Sequence, residues 1–249
     1  MRIRAKFAVA TGVLLLLVGS GMTAAAEKGQ SEAMARDVMQ RMAAYTGSLD
    51  QFVIKGEAFG DARLDAGLIV SNSVELVIKV DRPGSIYVES FDGVDTKKIY
   101  IHEGALTIYD SGNKFYARAK VPEDIEDAMQ FAMEEFDLDL PLGELFFADS
   151  ALALLTEQDT VLYLTDKSRI GGVDCHQVAV RGPEVDLQLW VEEGERPTPR
   201  KIAMSMKWEA GSPRHVALLE WSGATHFDPG VFVFKAPEGA QEIKFVGSE

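Results

Sequence analysis

Val74-Glu75-Leu76-Val77-Ile78-Lys79-Val80 alternates apolar and polar residues and closes on Asp81-Arg82-Pro83-Gly84. Over 68–80, Leu68, Val70, Val74, Leu76, Ile78 and Val80 share one face, with Ser71, Ser73, Glu75 and Lys79 mostly opposite. Successive strand side chains point to opposite faces, so a period of two predicts a strand with one dry and one wet side. The period holds in both directions. Upstream, Phe52 and Ile54 alternate with Gln51, Val53 and Lys55; downstream, Ile86 to Phe91 resumes after the turn. Asp92-Gly93, Glu103-Gly104 and Ser111-Gly112-Asn113 are further turn signals between β-branched and aromatic runs. Short turns at that spacing predict an antiparallel meander of about six strands.

Helical periods flank this block. Met34, Val38, Met42 and Tyr45 recur at spacings of four, four and three, which predicts a helix over about 31–46. Ile125, Ala128, Met129, Ala132, Met133 and Phe136 form a second apolar stripe. Pro122 suits a first helical turn, and Glu123, Asp124, Glu126 and Asp127 suit the positive end of its dipole. Leu142, Leu145, Phe146, Leu152 and Leu155 suggest a further short helix or two, with Asp149 as an N-cap. From 159 the period returns to two, in Val178/Val180, Leu187/Leu189/Val191 and Ile202/Met204/Met206/Trp208, with Val231 to Phe234 expected as the last strand.

The expected order is helix, about six strands, helices, about five strands. Sheets of about eleven strands tend to curl, and helices with one apolar stripe bury it against the apolar sheet face. The expected fold is α+β: a curled antiparallel β-sheet, an incomplete barrel of about 11 strands, with helices covering its concave face. Such an arrangement either packs solid or encloses a pocket.

The chain of 249 residues is 47% hydrophobic and 26% charged, with one cysteine. That balance excludes disordered, collagenous and disulfide-rich classes. Arg2, Arg4 and Lys6 precede an apolar run from Phe7 to Met22, and Thr23-Ala24-Ala25-Ala26 supplies small residues for cleavage. Residues 1–26 are therefore expected to be a signal peptide, leaving 27–249 as a single exported domain. A retained signal anchor is the alternative, but the run is shorter than the ~20 residues a spanning helix needs. No cysteine lies near the cleavage point, so a lipoprotein is not expected, nor is stable membrane insertion after cleavage. The expected localisation is the periplasm. The net charge of −14 becomes more negative without the basic leader. Such a surface repels phosphate backbones, so nucleic acid is not an expected partner.

Catalytic motifs are absent: no nucleophile elbow, His-Glu-x-x-His, phosphate-binding glycine loop or paired-cysteine metal site occurs. Cys175 and His176 are adjacent on an expected strand and should face opposite ways. The acidic run Glu134 to Asp139 lacks the glycine and spacing of a calcium loop. No enzyme activity, cofactor or metal is expected. Seven methionines outside the leader (Met34, Met39, Met42, Met129, Met133, Met204, Met206) fall mostly on expected inward stripes. Methionine suits irregular cores and adaptable apolar sites alike.

Taken in order, several segments resemble the LolA/LolB-like superfamily of bacterial lipoprotein carriers. They are the exported helix leading into Phe52-Val53-Ile54-Lys55-Gly56, the strand ending in Asp81-Arg82-Pro83, the hairpin from Lys98 to Asp110, and the closing Phe232 to Ala240. More narrowly, Gly171-Gly172-Val173-Asp174-Cys175-His176, Asp186-Leu187-Gln188-Leu189-Trp190-Val191 and Pro197-Thr198-Pro199-Arg200-Lys201 resemble a family of predicted periplasmic proteins, domain-of-unknown-function family 2092. The resemblance implies an incomplete barrel whose helices plug its mouth, with an apolar cavity used to hold acyl chains. It transfers no catalytic residue.

Two functions follow as expectations. The first is a periplasmic carrier or binding protein for a lipid, acyl chain or lipoprotein. Its cavity residues are expected to be Phe52, Ile54, Leu76 and Ile78, then Met129, Met133 and Phe136 on the helix, then Leu187, Leu189, Met204, Met206 and Trp208. The second is a regulatory or accessory module that uses the same fold to contact an envelope protein partner.

Overall fold

The computed structural model describes residues 19–64, 67–136, 138, 160–207, 213–223 and 226–245. Helix α1 (Gly19–Gly47) leads into six strands: β1 (Gln51–Arg63), β2 (Ile69–Asp81), β3 (Ser85–Phe91), β4 (Thr96–His102), β5 (Ala105–Asp110) and β6 (Phe115–Lys120). Helix α2 (Ile125–Phe136) follows, then β7 (Val161–Ile170), β8 (Val173–Arg181), β9 (Val185–Glu192), β10 (Pro199–Met206) and β11 (Arg214–Gly223). A one-turn 3-10 helix (Pro229–Phe232) and a short β12 (Gln241–Ile243) complete the chain.

Among the described residues twelve strands form one open sheet in the order β12-β6-β5-β4-β3-β2-β1-β11-β10-β9-β8-β7. Two meanders thus meet where β1 pairs with β11, and among the described residues the only parallel pair is β12 beside β6. The expected α+β curled half-barrel is what the chain forms.

Register explains the dry face. Phe52, Val80, Ile86, Ile101, Leu106 and Ala119 stand opposite one another from β1 through β6. A second rung runs Ile54, Ile78, Val88, Ile99, Ile108 and Ala117. On the other half, Leu189 pairs with Ile202, which pairs with Ala217. These rungs and the inner stripes of both helices make one contiguous core.

Several local expectations change. Helix α1 buries Ala35, Val38, Met39, Met42, Ala43 and Thr46, while Met34 is 47% exposed. Val38 and Met42 lie on the buried stripe as expected, while Met34 and Tyr45 fall at its margins, because close packing on a sheet favours the small Ala35 and Ala43 over longer side chains. Helix α1 also starts upstream of residue 31 and is continuous through the expected cleavage point. Helix α2 begins after Asp124, not at Pro122: the Asp124 Oδ1 accepts the Glu126 amide at 2.8 Å, an N-cap bond.

The expected final strand, Val231 to Phe234, is instead the 3-10 turn and an extended exit. Asp228 Oδ1 accepts the Gly230 amide at 2.8 Å, and Pro229 presets the first turn. Strand β12 carries only three residues, too few to show a period, and raises the strand number above the eleven expected. The expected short helices over 142–155 lie outside the described residues.

Candidate functional site

The concave face and the helices over it form the candidate site. Helix α1 lies directly on β7 and β8, and Ser31 fastens it there: its hydroxyl donates to the Leu164 carbonyl at 3.1 Å and accepts the Leu164 amide at 3.0 Å. Helix α2 makes no comparably close backbone approach to any strand among the described residues. Its tether is at its N-terminus, where the Ile125 amide donates to the Pro83 carbonyl at 2.9 Å. Side chains span the rest. Ile125, Ala128, Met129 and Ala132 point inward and are buried.

Of the expected cavity residues, Phe52, Ile54, Leu76, Ile78, Met129, Leu187 and Leu189 are all 4% exposed or less. Phe136 and Met204 are partly buried against the same core. Met206 is partly buried at the end of β10, and Met133 is 37% exposed at the margin of α2. Trp208 lies outside the described residues. The described members of the set thus lie on the concave face or on α2 above it, and the seven most buried are packed against neighbours.

The two ends of this face differ. At one end, Phe52 stacks on Trp221 with ring centroids 5.3 Å apart, and the Arg82 guanidinium stands 5.8 Å from the Phe52 ring. Arg82 Nη1 also donates to the Gly47 carbonyl at 2.9 Å, which ties the end of α1 to β2. Toward the other end β1 continues inward with Gly56, Ala58 and Gly60, small residues opposite Leu219, Ala217 and His215. A third boundary is the sheet edge. There Phe136 stacks on Phe245 at 4.4 Å, beside an open cleft of about 440 Å³ lined by Arg118, Ala119, Phe136 and residues 242–245. Sequence reading missed Phe245 and Arg118, because a lone aromatic in an aperiodic tail carries no pattern.

The convex face carries the polar chemistry. Tyr87 lies opposite Tyr100, and Phe234 seats among Tyr100, Tyr109 and Tyr116 at 5.5, 5.6 and 5.0 Å. The Tyr87 hydroxyl donates to Glu89, which also meets Lys98 Nζ at 3.0 Å. Burial would raise the Glu89 carboxyl, but the bonds from Tyr87 and Lys98 outweigh it and hold it below the ordinary carboxylate value. Burial, then the same carboxylate, pushes the Tyr87 hydroxyl up.

Cys175 is fully buried in a satellite cluster with Trp190 and Ala203, and burial raises its thiol. His176 turns the other way, its Nδ1 3.8 Å from Glu193. The two side chains lie on opposite faces of β8, as the alternation predicts. Among the described residues no group of three His, Cys, Asp or Glu side chains could hold a metal, and no helix is long and apolar enough to cross a membrane.

No curated protein matches the chain in sequence. Among solved structures it is similar to an uncharacterized conserved protein from Thermus thermophilus (11% identity, 85% of this chain and 99% of that one, TM-score 0.46). LprF from Mycobacterium bovis is similar at 12% identity, over 84% of this chain and 98% of that one, with a TM-score of 0.47. A LolA superfamily protein from Nitrosomonas europaea is similar at 12% identity, over 80% and 97%, with a TM-score of 0.36. The family model for predicted periplasmic protein DUF2092 matches residues 35–246, from the middle of α1 to just past Phe245. The chain belongs to the DUF2092 family of predicted periplasmic proteins.

Proposed function

We propose that this protein is an exported, non-enzymatic carrier or binding protein that holds a lipid, an acyl chain or the acylated end of a lipoprotein between its concave face and α2. One observation carries the reading. An unbroken apolar sheet face is covered by a helix that stands off from it, tethered at its N-terminus and bridged by side chains such as Met129. A helix held that way can swing outward with little backbone contact to break. An entering alkyl chain then replaces side-chain contacts one for one and gains about 0.8 kcal/mol per methylene withdrawn from water.

On this reading Met129, Met133 and Phe136 are the mobile wall. Phe52, Ile54, Leu76, Ile78, Leu187, Leu189, Met204, Met206 and Trp208 are the fixed one. Methionine at the moving surface suits ligands of varied shape, since its side chain refits without strain. Signal cleavage after Ala26 places the mature chain in the periplasm, checked by N-terminal sequencing of secreted material.

Native mass spectrometry of protein prepared gently from the periplasm, followed by organic extraction, tests the proposal. A bound lipid is expected in the native protein and lost from Met133→Glu, a substitution at a half-open position that leaves the fold intact by circular dichroism. Protein that stays empty after incubation with phospholipid vesicles and with a synthetic lipopeptide would sink the carrier reading and favour the accessory module.

A further inference from the structure

The last segment of the chain is held by two very unequal attachments. Phe232 is 2% exposed and Phe234 sits in its cage of tyrosines, so the strap is firmly fastened on the convex face. Beyond it, Gly239 adopts a left-handed φ of +80°, which glycine takes without strain. The chain then turns to lay Gln241–Ile243 along β6. All three β12 residues are exposed, and the pairing is parallel and stops at Ala117, halfway along β6. Among the described residues the edge of Arg118–Lys120 has no strand beside it, and the 440 Å³ cleft opens where a longer strand would continue.

We propose that the β6 edge is a docking site for an extended segment of a partner protein that carries a carboxylate and, three residues on, an aromatic ring, and that Gln241–Phe245 is this chain's own stand-in for it. The stand-in specifies the chemistry. On the convex side Glu242 accepts from the Tyr116 hydroxyl at 3.3 Å, next to Arg118. On the concave side Phe245 stacks on Phe136. Lys114, Arg118 and Lys120 are all exposed along this edge, a cationic strip on a chain with a net charge of −14. An incoming segment with a carboxylate at the Glu242 position and a ring at the Phe245 position satisfies both sides. A longer one also pairs with Arg118–Lys120, which gives it an advantage over β12. Strand addition to an exposed edge supplies affinity through the backbone and selectivity through alternate side chains. The inference shares Phe136 with the lipid reading but requires no cavity, so peptide binding and lipid binding can each fail without the other.

The test uses the full chain carrying Ile243→Pro, which removes a backbone donor from β12 and releases the tail. The probe is a fluorescent synthetic peptide spanning residues 239–247. The released variant is expected to bind it at least tenfold more tightly than the unsubstituted chain. A peptide carrying Glu242→Lys, and Arg118→Glu in the released background, should each weaken binding at least tenfold. Limited proteolysis reports whether the tail is free, and circular dichroism reports the fold. A free tail with no peptide binding overturns the proposal, as does equal binding of both peptides or a tail that stays protected in the proline variant. A dimer that forms by exchange of tails and excludes the peptide assigns the edge to a second copy, and overturns it too.

Discussion

Gly56 shows how one residue shapes the concave face. A β carbon there would stand 2.5 Å from the Leu218 carbonyl oxygen and 2.9 Å from Leu219 Cδ2. The backbone oxygen cannot yield as a side-chain tip can, so Gly56→Ala is expected to cost about 1–3 kcal/mol by overpacking, read from urea unfolding. Glu89 illustrates electrostatics at the same scale. Its carboxyl sits below the ordinary value when folded, so the unfolded chain binds more protons as pH falls. The stability it contributes is present above the unfolded carboxylate pKa of about 4.3 and is lost on acidification through the folded value. Thermal unfolding of Glu89→Gln should consequently depend less on pH in that acid window than the unsubstituted chain. An unchanged acid slope would exclude Glu89 as a contributor.

Among elements, α1 and α2 each bury an apolar stripe and play different parts. Helix α1 is fixed on β7 and β8 by packing and by Ser31, whereas α2 depends on its capped start. Asp124→Ala removes the cap, with an expected loss of about 1 kcal/mol. Amide exchange should quicken across Ile125–Phe136 and stay unchanged in α1; equal acceleration in both helices would show that they open together. Both helices were legible from spacing, yet the starting point of α2 was not. Proline and four acidic residues all suit a first turn, and only the contact with the Pro83 carbonyl selects Asp124 as the cap.

For the molecule as a whole, the β1–β11 pair joins two meanders distant in sequence into one sheet over one core. Neither half has a core of its own, so unfolding is expected to be a single cooperative transition. Trp190 lies in the convex satellite cluster and Trp221 against Phe52 on the concave side, so tryptophan fluorescence samples both faces. Its midpoint in guanidinium should coincide with that of far-UV circular dichroism. Separate midpoints would mean that the two meanders are independent units.

The amino-acid order by itself determined the two meanders, the two helices, and which side of their strands is dry, but not the end of the chain, where it put a strand at Val231 to Phe234. Those properties are local: a period of two or of 3.6 is written in neighbouring residues, and Leu76-Val77-Ile78 or Ile125 to Phe136 carries it whatever lies elsewhere. The dry face of the sheet was legible to the same extent, since Phe52, Ile54, Leu187 and Leu189 follow from alternation alone and are buried. Tertiary structure decided what depends on partners far along the chain. It chose Ala35 over Met34 for the stripe of α1 and left Met133 near solvent. It also turned Phe234 into a tyrosine cage and sent Gln241–Phe245 along the β6 edge. A three-residue strand and a single ring have no period to read, and their positions follow from the surfaces they meet.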